Sequence, residues 1–251
     1  MEKKIYVVGM GPGDLNQMTP EAMMAIKKSK AIAGYTVYID LLKESMGDEI
    51  YKKKILETPM RKEVDRCRMA LDEAMGGSVV SLVCSGDAGV YGMAGLMYQV
   101  AMEYDKDNTV DIEIVPGITA AISGAAVLGA PLIHDFAVIS LSDLLTPWDL
   151  IEKRLRCAGE GDFSICIYNP SSKKRHEYLQ KACDILLEVR SGENACGIVR
   201  NIGRKGQSSK VMTLKELRNT QTDMFTTVFI GNSNTEIIND KLITPRGYKG
   251  I

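Results

Sequence analysis

Four short segments carry the residues best suited to hold a small molecule. The first is Val8-Gly9-Met10-Gly11-Pro12-Gly13-Asp14. Glycines this close together let backbone approach a ligand. Two phosphate-binding patterns do not apply. A Rossmann fingerprint needs Gly or Ala where Asp14 stands, and a P-loop needs Gly-Lys-Ser/Thr. Pro12 also removes an N–H that a phosphate cradle would use. The turn is therefore expected to meet an uncharged or zwitterionic ligand, or to be a tight strand-to-helix turn with none.

The second segment is Ser85-Gly86-Asp87-Ala88-Gly89-Val90-Tyr91-Gly92. A carboxylate here can accept hydrogen bonds from a ribose or an amino group, or cap the next helix. The third is Pro116-Gly117-Ile118-Thr119-Ala120-Ala121. Its small residues admit a ligand to a helix start, where Thr119 offers a hydroxyl and an N–H; a plain N-cap is the alternative. The fourth is Tyr168-Asn169-Pro170-Ser171-Ser172-Lys173-Lys174-Arg175. With Arg200, Arg204 and Lys205, its cations suit a polycarboxylate through charge-assisted hydrogen bonds, or simply a solvated helix start. His134 and His176 are not spaced as metal ligands, and no metal is expected.

These segments follow short apolar runs. Runs at 5–8 and 79–84 read as buried strands, and those at 110–115, 136–141, 163–168, 195–200 and 227–230 as further strands. Helical spacing covers 21–30, 64–75, 92–103, 119–128, 148–157 and 176–189, with a further strand at 31–33. Thr19-Pro20-Glu21 is a helix start, with Thr19 as N-cap and Pro20 at the first helical position. Strand–helix alternation predicts an α/β fold with mixed, largely parallel sheets. A break near Val115-Pro116 divides it into an N-terminal α/β domain (1–115) and a C-terminal one (116–251). Open α/β sheets bind ligands at the carboxyl ends of their strands, which is where the motifs fall.

Composition sets the outer limits. The 251 residues carry 31 Lys plus Arg against 32 Asp plus Glu, a formal charge of -1. That balance gives no global electrostatic reason to bind nucleic acid or an anionic membrane. No apolar run reaches the roughly 20 residues of a membrane helix. The six cysteines form no CxxC pair, and reduced thiols in a cytoplasmic protein are expected.

The four motifs occur together with Ile133-His134-Asp135-Phe136, Ser140-Leu141-Ser142-Asp143-Leu144-Leu145-Thr146-Pro147-Trp148 and Thr227-Val228-Phe229-Ile230-Gly231-Asn232-Ser233. In this order they resemble the tetrapyrrole methylases over essentially the whole chain. Gly34-Tyr35-x-x-Tyr38-Ile39-Asp40 and the Leu-Ser-Asp-Leu-Leu-Thr-Pro-Trp stretch point to the branch acting at C17 of precorrin-3B or cobalt-factor III in cobalamin biosynthesis.

The resemblance implies two α/β domains with the active site in the cleft between them, a homodimer, and S-adenosyl-L-methionine as cofactor. It places cofactor contacts at Pro12, Gly86, Asp87, Val90, Thr119, Ala120, Asn169, Asn201 and Thr227. The implied reaction is C17 methylation with ring contraction on a tetrapyrrole bearing eight carboxylates. Tyr35, His134 and Asp135 are the acid–base candidates; Asp40, Ser140, Ser142, Asp143, Arg175 and Arg200 are the substrate-binding candidates. Uroporphyrinogen-methylating relatives have an aspartate where Tyr35 stands, so the same base does not carry over. C11 or C20 corrinoid methylation, the diphthamide methylase reaction and a non-catalytic nucleotide-binding protein remain the alternatives.

Overall fold

The computed structural model describes residues 2–172 and 174–250. It comprises two compact units, the first ending at Thr119 and the second beginning at Ala120. The break expected after residue 115 falls at the end of a strand, four residues before that division.

The first unit runs β1 (Lys4–Gly9), α1 (Pro20–Lys28), β2 (Ala31–Tyr35), α2 (Thr36–Met46), α3 (Asp48–Tyr51), β3 (Lys54–Thr58), α4 (Glu63–Met75), β4 (Val79–Cys84), α5 (Ala94–Tyr104) and β5 (Asp111–Val115). Its sheet has the order β3-β2-β4-β1-β5, and every pairing is parallel. The inner strands are covered on both faces, which explains the apolar runs of β1, β2 and β4. Alternation along β1 sends Ile5 and Val7 into one core with Leu71 and Met97 of α4 and α5. Tyr6 and Val8 enter the other with Ala25, Ile26 and Ile39 of α1 and α2. α1 starts as expected: the Thr19 hydroxyl accepts from the Ala22 N–H at 3.1 Å, and Pro20 opens the helix.

The second unit runs α6 (Ala120–Leu128), β6 (Gly129–Ala130), β7 (Phe136–Ser140), α7 (Trp148–Glu160), β8 (Ser164–Tyr168), α8 (Tyr178–Leu187), β9 (Ala195–Arg200), β10 (Ser208–Thr213), α9 (Leu214–Leu217), β11 (Thr226–Ile230), β12 (Glu236–Ile238) and β13 (Lys241–Ile243). Its main sheet has the order β10-β9-β11-β8-β7. Only β7 and β8 pair in parallel there; β8-β11, β11-β9 and β9-β10 are antiparallel. The α/β class and mixed sheets are as expected, with the parallel pairings concentrated in the first unit. β12, β13 and β6 form a small separate sheet.

Register aligns one edge of the main sheet. Ser140 at the end of β7 is level with Tyr168, the end of β8. Thr226 at the start of β11 is level with Arg200, the end of β9.

Candidate active site

In the first unit the glycine segments meet at the carboxyl ends of β1, β4 and β5. Gly11 and Gly86 exchange backbone hydrogen bonds of 3.0 and 2.8 Å. A Cβ at Gly9 would lie 2.7 Å from the Gly86 oxygen, and one at Gly117 would lie 2.2 Å from the same atom. No side chain fits at either position, so the three loops pack backbone to backbone. Gly11 and Gly86 also hold φ of 73° and 70°, the left-handed region that glycine enters without steric cost.

Asp87 clasps this junction. Its Oδ1 accepts from the N–H groups of Gly89 (2.8 Å) and Val90 (3.1 Å), and its Oδ2 from Gly117 (2.9 Å). The carboxylate thus caps its own loop and ties it to the loop after β5. Pro12, Gly86, Asp87, Val90 and Thr119, all expected at the cofactor, belong to the loops that follow these three strands.

Tyr35 ends β2 and packs edge-on against Tyr38, ring centroids 5.2 Å apart. Asp40 lies one turn further along α2, exposed beside Lys43. Sequence reasoning missed Arg66 of α4. Its guanidinium is 5.9 Å from the Tyr35 ring centroid and its side chain is buried. Nothing in an amphipathic helix full of charges marks one arginine as the inward one.

In the second unit a polar chain runs along the edge where β7 and β8 end. The Asn169 amide donates to Ser140 Oγ (2.9 Å), which also accepts from the Ser142 N–H (3.2 Å). Arg175 donates to Ser142 Oγ (3.0 Å), Asp143 Oδ1 (2.8 Å) and Ser172 Oγ (3.2 Å). Tyr178, also missed, donates to Asp143 Oδ2 at 2.6 Å and packs on Trp148. The Tyr178 hydrogen bond, then Arg175, holds the Asp143 carboxyl below its usual range. The same carboxylate raises the Tyr178 phenol. Four of the six expected substrate-binding residues are therefore one network, and Arg175 is committed to it.

Asn169 and Asn201 both directly follow strands at φ of 52°, a conformation asparagine tolerates better than most residues. Thr227 is buried in β11 and Ala120 opens α6. Arg200 pairs with Asp223 at 2.7 Å beside a cavity of about 300 Å³ that Lys210 and Thr222 also line. Lys174 and His176 are exposed, and Lys173 lies outside the described residues.

His134 and Asp135 stand apart from this network. They precede β7, while Ser140 ends it, so a whole strand of roughly 17 Å separates them. His134 Nε2 is 2.9 Å from the Pro245 carbonyl, and the Asp135 carbonyl accepts from Ser164. The structure gathers neither with the other second-unit candidates, because sequence proximity to a strand does not tell which end faces the ligand.

Among the described residues no cluster of His, Cys, Asp and Glu is arranged to hold a metal. Burial pushes the thiols of Cys67, Cys166 and Cys183 up to about 12, and that of Cys84 to about 11. These are inert core groups.

The fold and the strand-end loops define a protein class. Residues 4–218 match the model of the Tetrapyrrole (Corrin/Porphyrin) Methylases, and the chain belongs to that family. Within it, the chain is 43% identical over 244 residues to a probable cobalt-factor III C(17)-methyltransferase of Salmonella typhimurium, covering 97% of this chain and 99% of that one. It is 39% identical over 256 residues to a precorrin-3B C(17)-methyltransferase of a Sinorhizobium species, covering 100% and 99%. The crystal structure of the methyltransferase CobJ superposes with a TM-score of 0.87 at 35% identity, covering 96% of this chain and 99% of that one.

Proposed function

We propose that this chain transfers a methyl group from S-adenosyl-L-methionine to C17 of precorrin-3B or cobalt-factor III, with contraction of the macrocycle, in cobalamin biosynthesis. The observation that carries this reading is the end-to-end match to the Salmonella relative at 43% identity. The loop junction of the first unit supports the cofactor assignment. It offers backbone and small side chains, with no lysine or arginine among Pro12, Gly86, Asp87, Val90 and Thr119 to repel a sulfonium. The Asp87 carboxylate adds a negative charge of the sign that a cationic ligand needs. Ala120, Asn169, Asn201 and Thr227 keep their assignment to the cofactor.

The bound cofactor supplies an activated methyl; the acceptor carbon's electron pair forms the new bond and the sulfur keeps the pair of the broken one. The chain's residues have to align the two carbons and exclude water. Tyr35 is the candidate proton-handling group of the first unit. In the second, Asp143 stays ionised and Arg175 fixes Ser142, so Ser140, Ser142 and Asp143 present fixed polar atoms to the acceptor. The reading includes a homodimer in the cytoplasm with no nucleic-acid or membrane partner. No helix among the described residues is long and apolar enough to cross a membrane.

The test is turnover. Purified protein with S-adenosyl-L-methionine and precorrin-3B or cobalt-factor III should release S-adenosylhomocysteine and yield a C17-methylated, ring-contracted product by NMR. Methylation at C11 or C20 would reassign the acceptor, and cofactor binding without turnover would make the protein a sensor. Running both acceptors decides whether the ring carries cobalt.

A further inference from the structure

Arg66 is only 4% exposed. Its Nε donates to Thr58 Oγ1 (2.9 Å), Nη2 to the Pro59 carbonyl (3.2 Å) and Nη1 to the Met93 sulfur (3.8 Å). Among the described residues it makes no ion pair. Asp65 and Asp72 of the same helix are engaged by Lys62 and Arg68. A buried guanidinium without a carboxylate is costly, because its desolvation is repaid only by neutral acceptors.

Its position explains what the cost sustains. Thr58 ends β3, Tyr35 ends β2 and Met93 follows the turn after β4. These strands are neighbours in the order β3-β2-β4, so Arg66 lies beneath the carboxyl edge of the sheet. Its guanidinium faces the Tyr35 ring at 5.9 Å, within cation–π range.

We infer that Arg66 is a positioning residue for the acceptor: it fixes the Tyr35 ring and the end of β3, and its uncancelled charge favours a polycarboxylate at that edge. The inference rests on the proposed function, which supplies the anionic macrocycle. It predicts that Arg66 affects the acceptor and not the cofactor.

The experiment compares Arg66→Gln and Arg66→Lys with wild type, measuring cofactor affinity by calorimetry and methyl transfer against macrocycle concentration. Arg66→Gln should raise the acceptor KM at least tenfold with the S-adenosyl-L-methionine Kd within twofold, and Arg66→Lys should fall between Gln and wild type. The inference is overturned by an unchanged KM, by KM and Kd moving together, or by Lys as impaired as Gln. Should Arg66→Gln fail to fold, Arg66→Lys is read alone: an acceptor KM raised at least threefold with the Kd within twofold supports the inference, and a KM change under twofold overturns it. A wild-type protein that methylates the macrocycle with Arg66→Gln as its equal defeats this inference alone. A wild-type protein that methylates no tetrapyrrole defeats the proposed function and the inference with it.

Discussion

The Asp87 carboxylate accepts the Gly117 N–H at 2.9 Å across thirty positions of sequence, binding the loop after β4 to the loop after β5. Its other oxygen holds Gly89 and Val90. An aspartate assigned to the cofactor is thus also the fastener of the surface that would receive it.

That double duty predicts how two variants differ. Asp87→Asn keeps one acceptor oxygen for Gly89 and Val90 but sets an amide nitrogen against the Gly117 N–H, donor facing donor. We expect a stability loss of about 1–3 kcal/mol, the cost of a lost charge-assisted bond. Asp87→Ala frees all three N–H groups and should cost more, with S-adenosyl-L-methionine affinity at least tenfold weaker in both. Denaturant unfolding and calorimetry measure the two effects. If Asp87→Ala retains wild-type affinity, the cofactor does not rest on this junction.

The glycines of the first unit divide by what a methyl group would meet. At Gly117 a Cβ would be 2.2 Å from the Gly86 oxygen and 2.5 Å from the Gly9 oxygen, both backbone atoms with nowhere to go. Gly117→Ala should destabilise by about 3 kcal/mol, at the upper end of overpacking costs. Gly95, exposed in the first turn of α5, has nothing within 4 Å of its Cβ position. Gly95→Ala should stabilise by about 0.5 kcal/mol through helix propensity alone. Thermal unfolding of the pair checks both signs.

Elements that bury a continuous apolar run were legible in the sequence, and short or exposed edge elements were not. β1 and β4 announce themselves because both faces of a parallel sheet are covered. β10 begins Ser208-Ser209-Lys210 with those residues exposed, and β12 is exposed throughout. The apolar pairs Val211-Met212 and Ile237-Ile238 are too short to mark either, and only the neighbouring strand makes them strands. The same asymmetry holds at the site. Glycine motifs point to loops because glycine is chosen for backbone geometry that is local. The partnership of Tyr178 with Asp143 spans thirty-five positions and leaves no local trace. Arg175 was expected to grip substrate carboxylates; its contacts with Ser142, Asp143 and Ser172 are long-range or geometric facts that a basic cluster does not display.

The Asp143–Tyr178 pair gives the protein a pH signature. The carboxyl lies below its usual value of 3.8, first because Tyr178 donates to it and then because Arg175 does. A carboxylate depressed in the folded state adds stability that is complete above its unfolded pKa. That stability disappears as pH falls from about 4 through the lower folded value. The network should therefore be intact at neutral pH and open only in acid, releasing Ser142 and Arg175 together. Tyr178→Phe removes the largest cause and leaves burial, which raises the carboxyl, set against Arg175, which lowers it. Its Asp143 carboxyl should titrate above that of wild type. Carbon-13 NMR of the aspartate carboxyls across pH 2 to 6 reads this directly. If wild type and Tyr178→Phe share one Asp143 midpoint, the phenol does not hold the carboxylate, and Arg175 alone orders the loop that carries Ser142.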